Sequence, residues 1–223
     1  MIVLYHCMSA RSFRPLWMLE ELQAPYELRM LPFPPRAHAR EYLEVNPLGT
    51  VPAMIDGQLL MTESSAICEY LAVRYSTNGL HLCADETDFG LYLNWLHFGE
   101  ATLTFPQTLI LRYRRFETVS RRSPQVVEDY TRWFLGRLRA IDAALAGRTY
   151  LCQERFTGAD ISVGYALMLA EFIDLGGHFP ERVQQYWTRL QQRAGFQRAL
   201  AAQQQAAEQQ GVSLIHSPLT GSD

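Results

Sequence analysis

Residues 46–54 read Asn46-Pro47-Leu48-Gly49-Thr50-Val51-Pro52-Ala53-Met54, and eleven residues after Pro52 comes Glu63-Ser64-Ser65-Ala66-Ile67. The first segment is a turn entering a short strand, with a proline where a strand should donate a backbone hydrogen bond. Such a proline leaves the preceding N–H and C=O unpaired in the sheet and open to a peptide-like ligand. The second segment places an acid and hydroxyls at the start of an amphipathic helix. There a carboxylate and the helix N–H groups can hold the two charged ends of an amino acid. Together the segments describe a small cleft for a zwitterionic peptide.

Working outward, Ile2-Val3-Leu4-Tyr5 has the pattern of a buried strand. Residues 12–22 follow as a helix, with Ser12 as N-cap, Pro15 in the tolerated first turn, and Leu16, Leu19 and Leu22 at helical spacing. Residues 26–31 alternate as a second strand, so a right-handed crossover and a parallel pair are expected. A weak helix is expected over 37–44. Val51-Pro52-Ala53-Met54-Ile55 and Leu59-Leu60-Met61 flank Asp56-Gly57, a strong hairpin signal. The order βαβαββα is that of a thioredoxin-like domain over residues 1–77. A turn-rich break, Ser76-Thr77-Asn78-Gly79, opens a linker over 78–87.

Beyond it no strand pattern appears, and an all-helical domain is expected over 88–213, making the fold class α/β plus all-α. Residues 89–103 are helical, Pro106 should kink or restart the helix, and helical character resumes through Phe116. Residues 124–145 form another long helix, with Pro124 near its start and Gly147 just past its end. Thr157 and Asp160 read as a capping box, with Phe156 and Ile161 closing a hydrophobic staple at the start of an apolar helix. The Gln- and Ala-rich run 201–210 reads as a solvated helix face, and the tail 214–223 as partly disordered.

Composition excludes several functions. The chain has 223 residues, 48% hydrophobic, and a formal charge of −3, which gives no electrostatic case for nucleic acid or an anionic membrane. All 20 basic residues are arginine, so lysine chemistry, including Schiff bases, is absent. Cys7, Cys68, Cys83 and Cys152 are scattered without CxxC or metal-like pairing, and read as free buried thiols of a reducing cytosol. No stretch reaches the ~20 apolar residues that span a bilayer. A soluble, cytoplasmic protein without a metal is expected.

The order and spacing of these motifs, over roughly residues 1–210, resemble the glutathione transferases. The segment Trp95-Leu96-His97-Phe98-Gly99-Glu100 is similar to a bacterial and fungal subgroup. The resemblance implies glutathione as co-substrate. It implies a cis peptide before Pro52, with Val51 pairing the cysteinyl backbone, and Glu63 and Ser64 on the γ-glutamyl ammonium and carboxylate. Many relatives carry Lys or Gln where this chain has Thr50, so His38 or Arg40 is left to meet the glycyl carboxylate. In serine-type relatives the thiol donor lies five residues before an arginine. Ser9 and Arg14 match that pattern, while Ser12 and Arg11 compete for the role, followed by Cys7 and Tyr5. The second substrate, a hydrophobic electrophile or peroxide, is expected near Leu103, Phe105, Arg112 and Tyr113, and a homodimer is implied. Two alternatives stay open: a non-catalytic glutathione or ligand carrier, and a Cys7-dependent disulfide reductase.

Overall fold

Residues 1–76 and 79–220 are described by the computed structural model, so Thr77 and Asn78 of the expected break lie outside the described residues. Two compact units form: Met1–Leu80 with Gln192–Ser217, and His81–Gln191 with the residues after Ser217.

In the first unit a four-stranded sheet has the order β2-β1-β3-β4, with β1 Ile2–His6, β2 Tyr26–Met30, β3 Ala53–Asp56 and β4 Leu59–Met61. Strand β1 is parallel to β2 and antiparallel to β3, and β3 is antiparallel to β4. Helices α1 (Phe13–Leu22), α2 (Pro35–His38) and α3 (Ser64–Tyr75) complete the βαβαββα order, and a 3-10 turn at Arg40–Glu44 takes up the rest of the weak helix. Burial of Phe13, Leu16, Trp17, Met18 and Leu19 on α1, and of Ile67, Cys68, Leu71 and Ala72 on α3, supplies the apolar contacts that hold both helices.

Register decides where the site forms. Tyr5 faces Ala53 across the β1–β3 ladder, and Met54 faces Met61 across β3–β4. The loop after β1, the chain before β3 and the chain after β4 therefore leave the sheet at one edge. That edge receives residues 7–12, Val51 and Glu63, together with the N-termini of α1 and α3.

The last helix, α9 (Ala194–Gln210), expected within the helical half, packs with the first unit. Phe196 meets Phe13 and Trp17 edge-on, with centroids 5.6 and 4.9 Å apart. Arg193 forms a two-pronged pair with Glu21 (2.8 and 2.9 Å), and Arg198 reaches Glu20 at 3.1 Å. A Cβ at Gly195 would lie 2.5 Å from the Glu21 carboxyl carbon, so a larger residue there requires the Glu21 side chain to shift. Gln210 accepts from Met30 N–H and donates to Leu28 C=O, both at 2.8 Å, and so covers the exposed edge of β2. The Gln-rich run is thus no simple solvated face.

In the second unit the chain coils through α4 (Phe89–His97), a π-helical segment Phe98–Thr104, α5 (Phe105–Leu111) and a second π segment Arg112–Phe116. Pro106, in the first turn of α5, has no N–H to donate, and the wider winding lies immediately before it. A Cβ at Gly99 would fall 2.5 Å from the Ser162 carbonyl carbon, so this winding rests directly on α7 (Gly158–Phe172). Helices α6 (Pro124–Ala144) and α8 (Glu181–Gln191) complete the unit. Thr157 and Asp160 close the expected capping box at α7, with Thr157 N–H donating to Asp160 Oδ2 at 2.8 Å. Asp160 is fully buried and also accepts from Tyr186 OH (2.7 Å) and Leu151 N–H (3.2 Å). Burial outweighs these hydrogen bonds and pushes its carboxyl up to about 6.

Candidate functional site

Val51 lies two residues before the first paired residue of β3, and the Val51–Pro52 peptide is cis. Its N–H and C=O have no hydrogen-bond partner among the described residues. The turn before it is held in place. Thr50 C=O accepts from Tyr42 OH (2.6 Å) and Asn46 Nδ2 (2.8 Å), and Asn46 Oδ1 accepts from Leu48 N–H (3.1 Å). Thr50, His38 and Arg40 are themselves exposed.

Glu63 occupies the N-cap of α3 with an extended backbone, yet its side chain makes no capping hydrogen bond. Ordinary helix capping therefore does not explain this acid, which stands exposed and without a partner among the described residues. Ser64 is buried, and its Oγ accepts from Arg14 Nη1 at 3.2 Å. Arg14 is fully buried and spans from α1 to the α3 N-terminus, fixing the hydroxyl beside the helix N–H groups.

The loop between β1 and α1 is organised by a chain of buried polar groups. Ser9 N–H donates to Gln203 Oε1 (2.9 Å), which fixes the amide and aims Gln203 Nε2 at Ser9 Oγ (3.1 Å). His6 Nε2 also reaches Gln203 Oε1 (3.0 Å) and must donate to it. Burial lowers the His6 pKa to about 4, so at neutral pH its Nδ1 carries no proton and accepts from Ser12 Oγ at 2.7 Å. Ser12 thus does not cap α1: its proton goes to His6, and its lone pair accepts from Cys7 N–H at 3.4 Å. Ser9 adopts a left-handed backbone (φ 53°), is 0% exposed, and meets His216 Nδ1 at 2.8 Å.

The other candidates in this region differ in setting. Arg11 is half-buried in the same loop. Tyr5 packs against Tyr42 and its OH accepts from Arg29 at 2.8 Å. Cys7 is fully buried, and burial pushes its thiol up, opposing ionisation. Cys68 and Cys152 are buried free thiols, whereas Cys83 is exposed, contrary to the expectation for it.

Of the residues expected near a second substrate, Leu103 is fully buried and belongs to the interior of the helical unit. Phe105 is 55% exposed, and Arg112 lies over the Tyr113 ring with its guanidinium carbon 5.6 Å from the centroid. Tyr113 lines a cavity of about 500 Å³ with Arg114, Arg122, Val127, Thr131 and Arg132.

His6, Gln203 and His216 are positioning groups that sequence reasoning passed over, and Arg14, read only as the arginine of the serine-type pattern, holds the Ser64 hydroxyl. One signal was available: Gln203 lies on the periodic stripe Phe196, Ala199, Ala207 of α9.

Residues 8–74 match the family model described as glutathione S-transferase, N-terminal domain. The chain is 30% identical over 176 residues to the glutathione S-transferase-like protein OpS6 of Beauveria bassiana, covering 75% of this chain and 78% of that one. It is 29% identical over 184 residues to glutathione S-transferase 3 of Schizosaccharomyces pombe, covering 77% and 75%. Among solved structures, a sphingomonad glutathione S-transferase complexed with glutathione superposes with a TM-score of 0.78 at 25% identity, covering 91% of this chain and 98% of that one. Ure2p in complex with glutathione gives 0.78 at 25%, covering 90% and 92%.

Proposed function

The chain belongs to the glutathione S-transferase superfamily, and on that premise we propose that it is a glutathione transferase. The first unit binds glutathione, activates its thiol as the thiolate, and directs it at a hydrophobic electrophile or a peroxide. In this reading Val51 pairs the cysteinyl backbone as an added strand. The Glu63 carboxylate receives the γ-glutamyl ammonium, and Ser64 with the α3 N-terminus receives the carboxylate. Thr50, with His38 or Arg40, all exposed, is left for the glycyl end.

A thiol of pKa ~8.5 is only a few per cent ionised at neutral pH, and lowering it by about two units requires about 2.7 kcal/mol of differential stabilisation. Ser9 is the donor proposed for this, because the Ser12 proton is committed to His6 and the Cys7 thiol is held un-ionised by burial. Gln203, donating to Ser9 Oγ, polarises the hydroxyl that would face the sulfur. The electrophile is assigned to the helical unit at Phe105, Arg112 and Tyr113. A homodimer is proposed through the α3 and α4 helices, where Val73 (57%) and Leu91 (43%) are exposed.

The observation that supports this reading most is the pairing of an unbonded Val51 backbone with an uncapping, unpartnered Glu63 at one sheet edge. Calorimetric titration with glutathione, beside turnover of an activated aryl halide, tests it. Glu63→Gln should weaken glutathione binding about tenfold or more, and Ser9→Ala should lower turnover with binding kept. A protein that binds glutathione with no conjugation or peroxide reduction would instead be a carrier.

A further inference from the structure

The chain beyond α9 returns to the residue proposed to hold the thiolate. Gly211 ends α9 in a left-handed conformation (φ 66°), and Val212 N–H closes the helix on Ala207 C=O at 2.9 Å. Leu214 and Ile215 then run exposed, at 46% and 59%. The segment comes down again at its far end, where Ser217 N–H donates to Met8 C=O (2.7 Å) and His216 Nδ1 meets Ser9 Oγ (2.8 Å).

Two neighbours thus share the Ser9 hydroxyl, and they are anchored very differently. Gln203 sits on a helix bound to α1 by the Arg193–Glu21 and Arg198–Glu20 pairs. His216 sits on a strap running from the left-handed Gly211 to Pro218, whose C=O accepts from Arg115 at 2.9 Å; residues 213–215 of the strap are exposed and Ser217 is buried. Local opening is drawn from exposed stretches such as residues 213–215 of this strap. Ser9 meanwhile has no accessible surface, so in this conformation no ligand atom can touch it. A sulfur atom and His216 are alternatives at one oxygen.

Resting on the assignment of Ser9 as thiolate donor, we propose that residues 212–217 are a latch over the thiol site. His216 holds the Ser9 hydroxyl when glutathione is absent, and the segment lifts between Gly211 and Pro218, Ser217 N–H leaving Met8 C=O, to yield that hydroxyl to the glutathione sulfur. Gln203, on the anchored helix, stays with Ser9 throughout. A latch of this kind reduces the apparent affinity for glutathione by the fraction of molecules that are open.

Hydrogen exchange of the amides of residues 212–217, measured with and without saturating glutathione on the full chain, tests this. Calorimetric titration of the same protein and of His216→Ala accompanies it. Expected are a loss of protection at Ser217, whose N–H is bonded to Met8 C=O, on adding glutathione and an affinity about tenfold tighter in His216→Ala. Binding seen only in the variant would also support the latch. Glutathione that binds while protection of the segment stays level or rises overturns the latch and leaves the transferase reading standing. Failure of both proteins to bind glutathione removes the transferase reading, and the latch with it.

Discussion

Replacing His6 with glutamine should invert the response of this protein to mild acid, and the size of the inversion can be worked out. His6 and Asp160 are both fully buried. Burial holds His6 near 4 against an ordinary value of 6.5, and lifts Asp160 to about 6 from 3.8. A group whose folded pKa is depressed contributes stability above its unfolded pKa and loses it as the pH falls through the folded one. His6 is of that kind, and its loss runs from pH 6.5 down to 4. A group whose folded pKa is raised contributes fully below its unfolded pKa and loses that contribution as the pH rises through the folded value. Asp160 is of this second kind, over the window 3.8 to 6.

Integrated from about pH 7 to pH 5, His6 subtracts about 2 kcal/mol and Asp160 adds about 1 kcal/mol. The two therefore oppose one another, and before rounding the pair together sags by only about 0.5 kcal/mol. His6→Gln keeps an Nε2–H for Gln203 and an oxygen to accept from Ser12, but has no proton to take up. Equilibrium urea unfolding of both proteins at the two pH values gives four free energies. Every titrating group the proteins share cancels in the difference of differences, which should be about 2 kcal/mol in favour of the variant on acidification. A value under about 0.5 kcal/mol, or of the opposite sign, refutes the buried neutral imidazole and the proton assignment built on it.

Other outcomes follow from the same geometry. Asp160→Ala strips the acceptor from Thr157 N–H, Leu151 N–H and Tyr186 OH, and should cost about 3 kcal/mol or more in urea unfolding at pH 7. Arg14→Met should leave Ser64 unoriented, weakening glutathione binding by about tenfold in calorimetry while also lowering the midpoint of thermal unfolding. Gly99→Ala drives a methyl into the Ser162 backbone and should destabilise by about 1–3 kcal/mol, read from the same unfolding curves. Cys7→Ser should leave glutathione-dependent turnover unchanged within about twofold, since the buried thiol takes no part in the proposed chemistry; abolished reduction of mixed disulfides would favour the reductase alternative.

Much of the first unit is legible in local sequence. The apolar run at 2–5, the alternation at 26–31 and the Asp56-Gly57 turn, like the Thr157-to-Asp160 box of the second unit, each announce themselves within a few residues, because hairpins and caps are decided by near neighbours. Strand β3 starts at Ala53 and not at Val51, and this shortfall is itself the site: Pro52 ends the ladder one residue short of the free backbone groups. Contacts made at long range were not legible. Ser12 has every local mark of an N-cap, yet its hydroxyl is drawn to His6, and His6 is oriented by Gln203, 197 residues away. Glutamines in an Ala-rich run carry no hydropathy signal, so Gln203 and Gln210 read as solvated although one holds Ser9 and the other the edge of β2. The tail, expected to be loose, is seated at residues 216 and 217. The π-helical winding on either side of α5 has no signature in a 3.6-residue period, and Pro106 marks only its neighbourhood.

A structure of the protein with glutathione bound tests the central claim most directly. In it the cysteinyl N–H and C=O of the ligand should lie within about 3.2 Å of the Val51 C=O and N–H, with the γ-glutamyl group on Glu63 and Ser64. Glutathione seated elsewhere, with Val51 still unbonded and Glu63 still facing solvent, would contradict it.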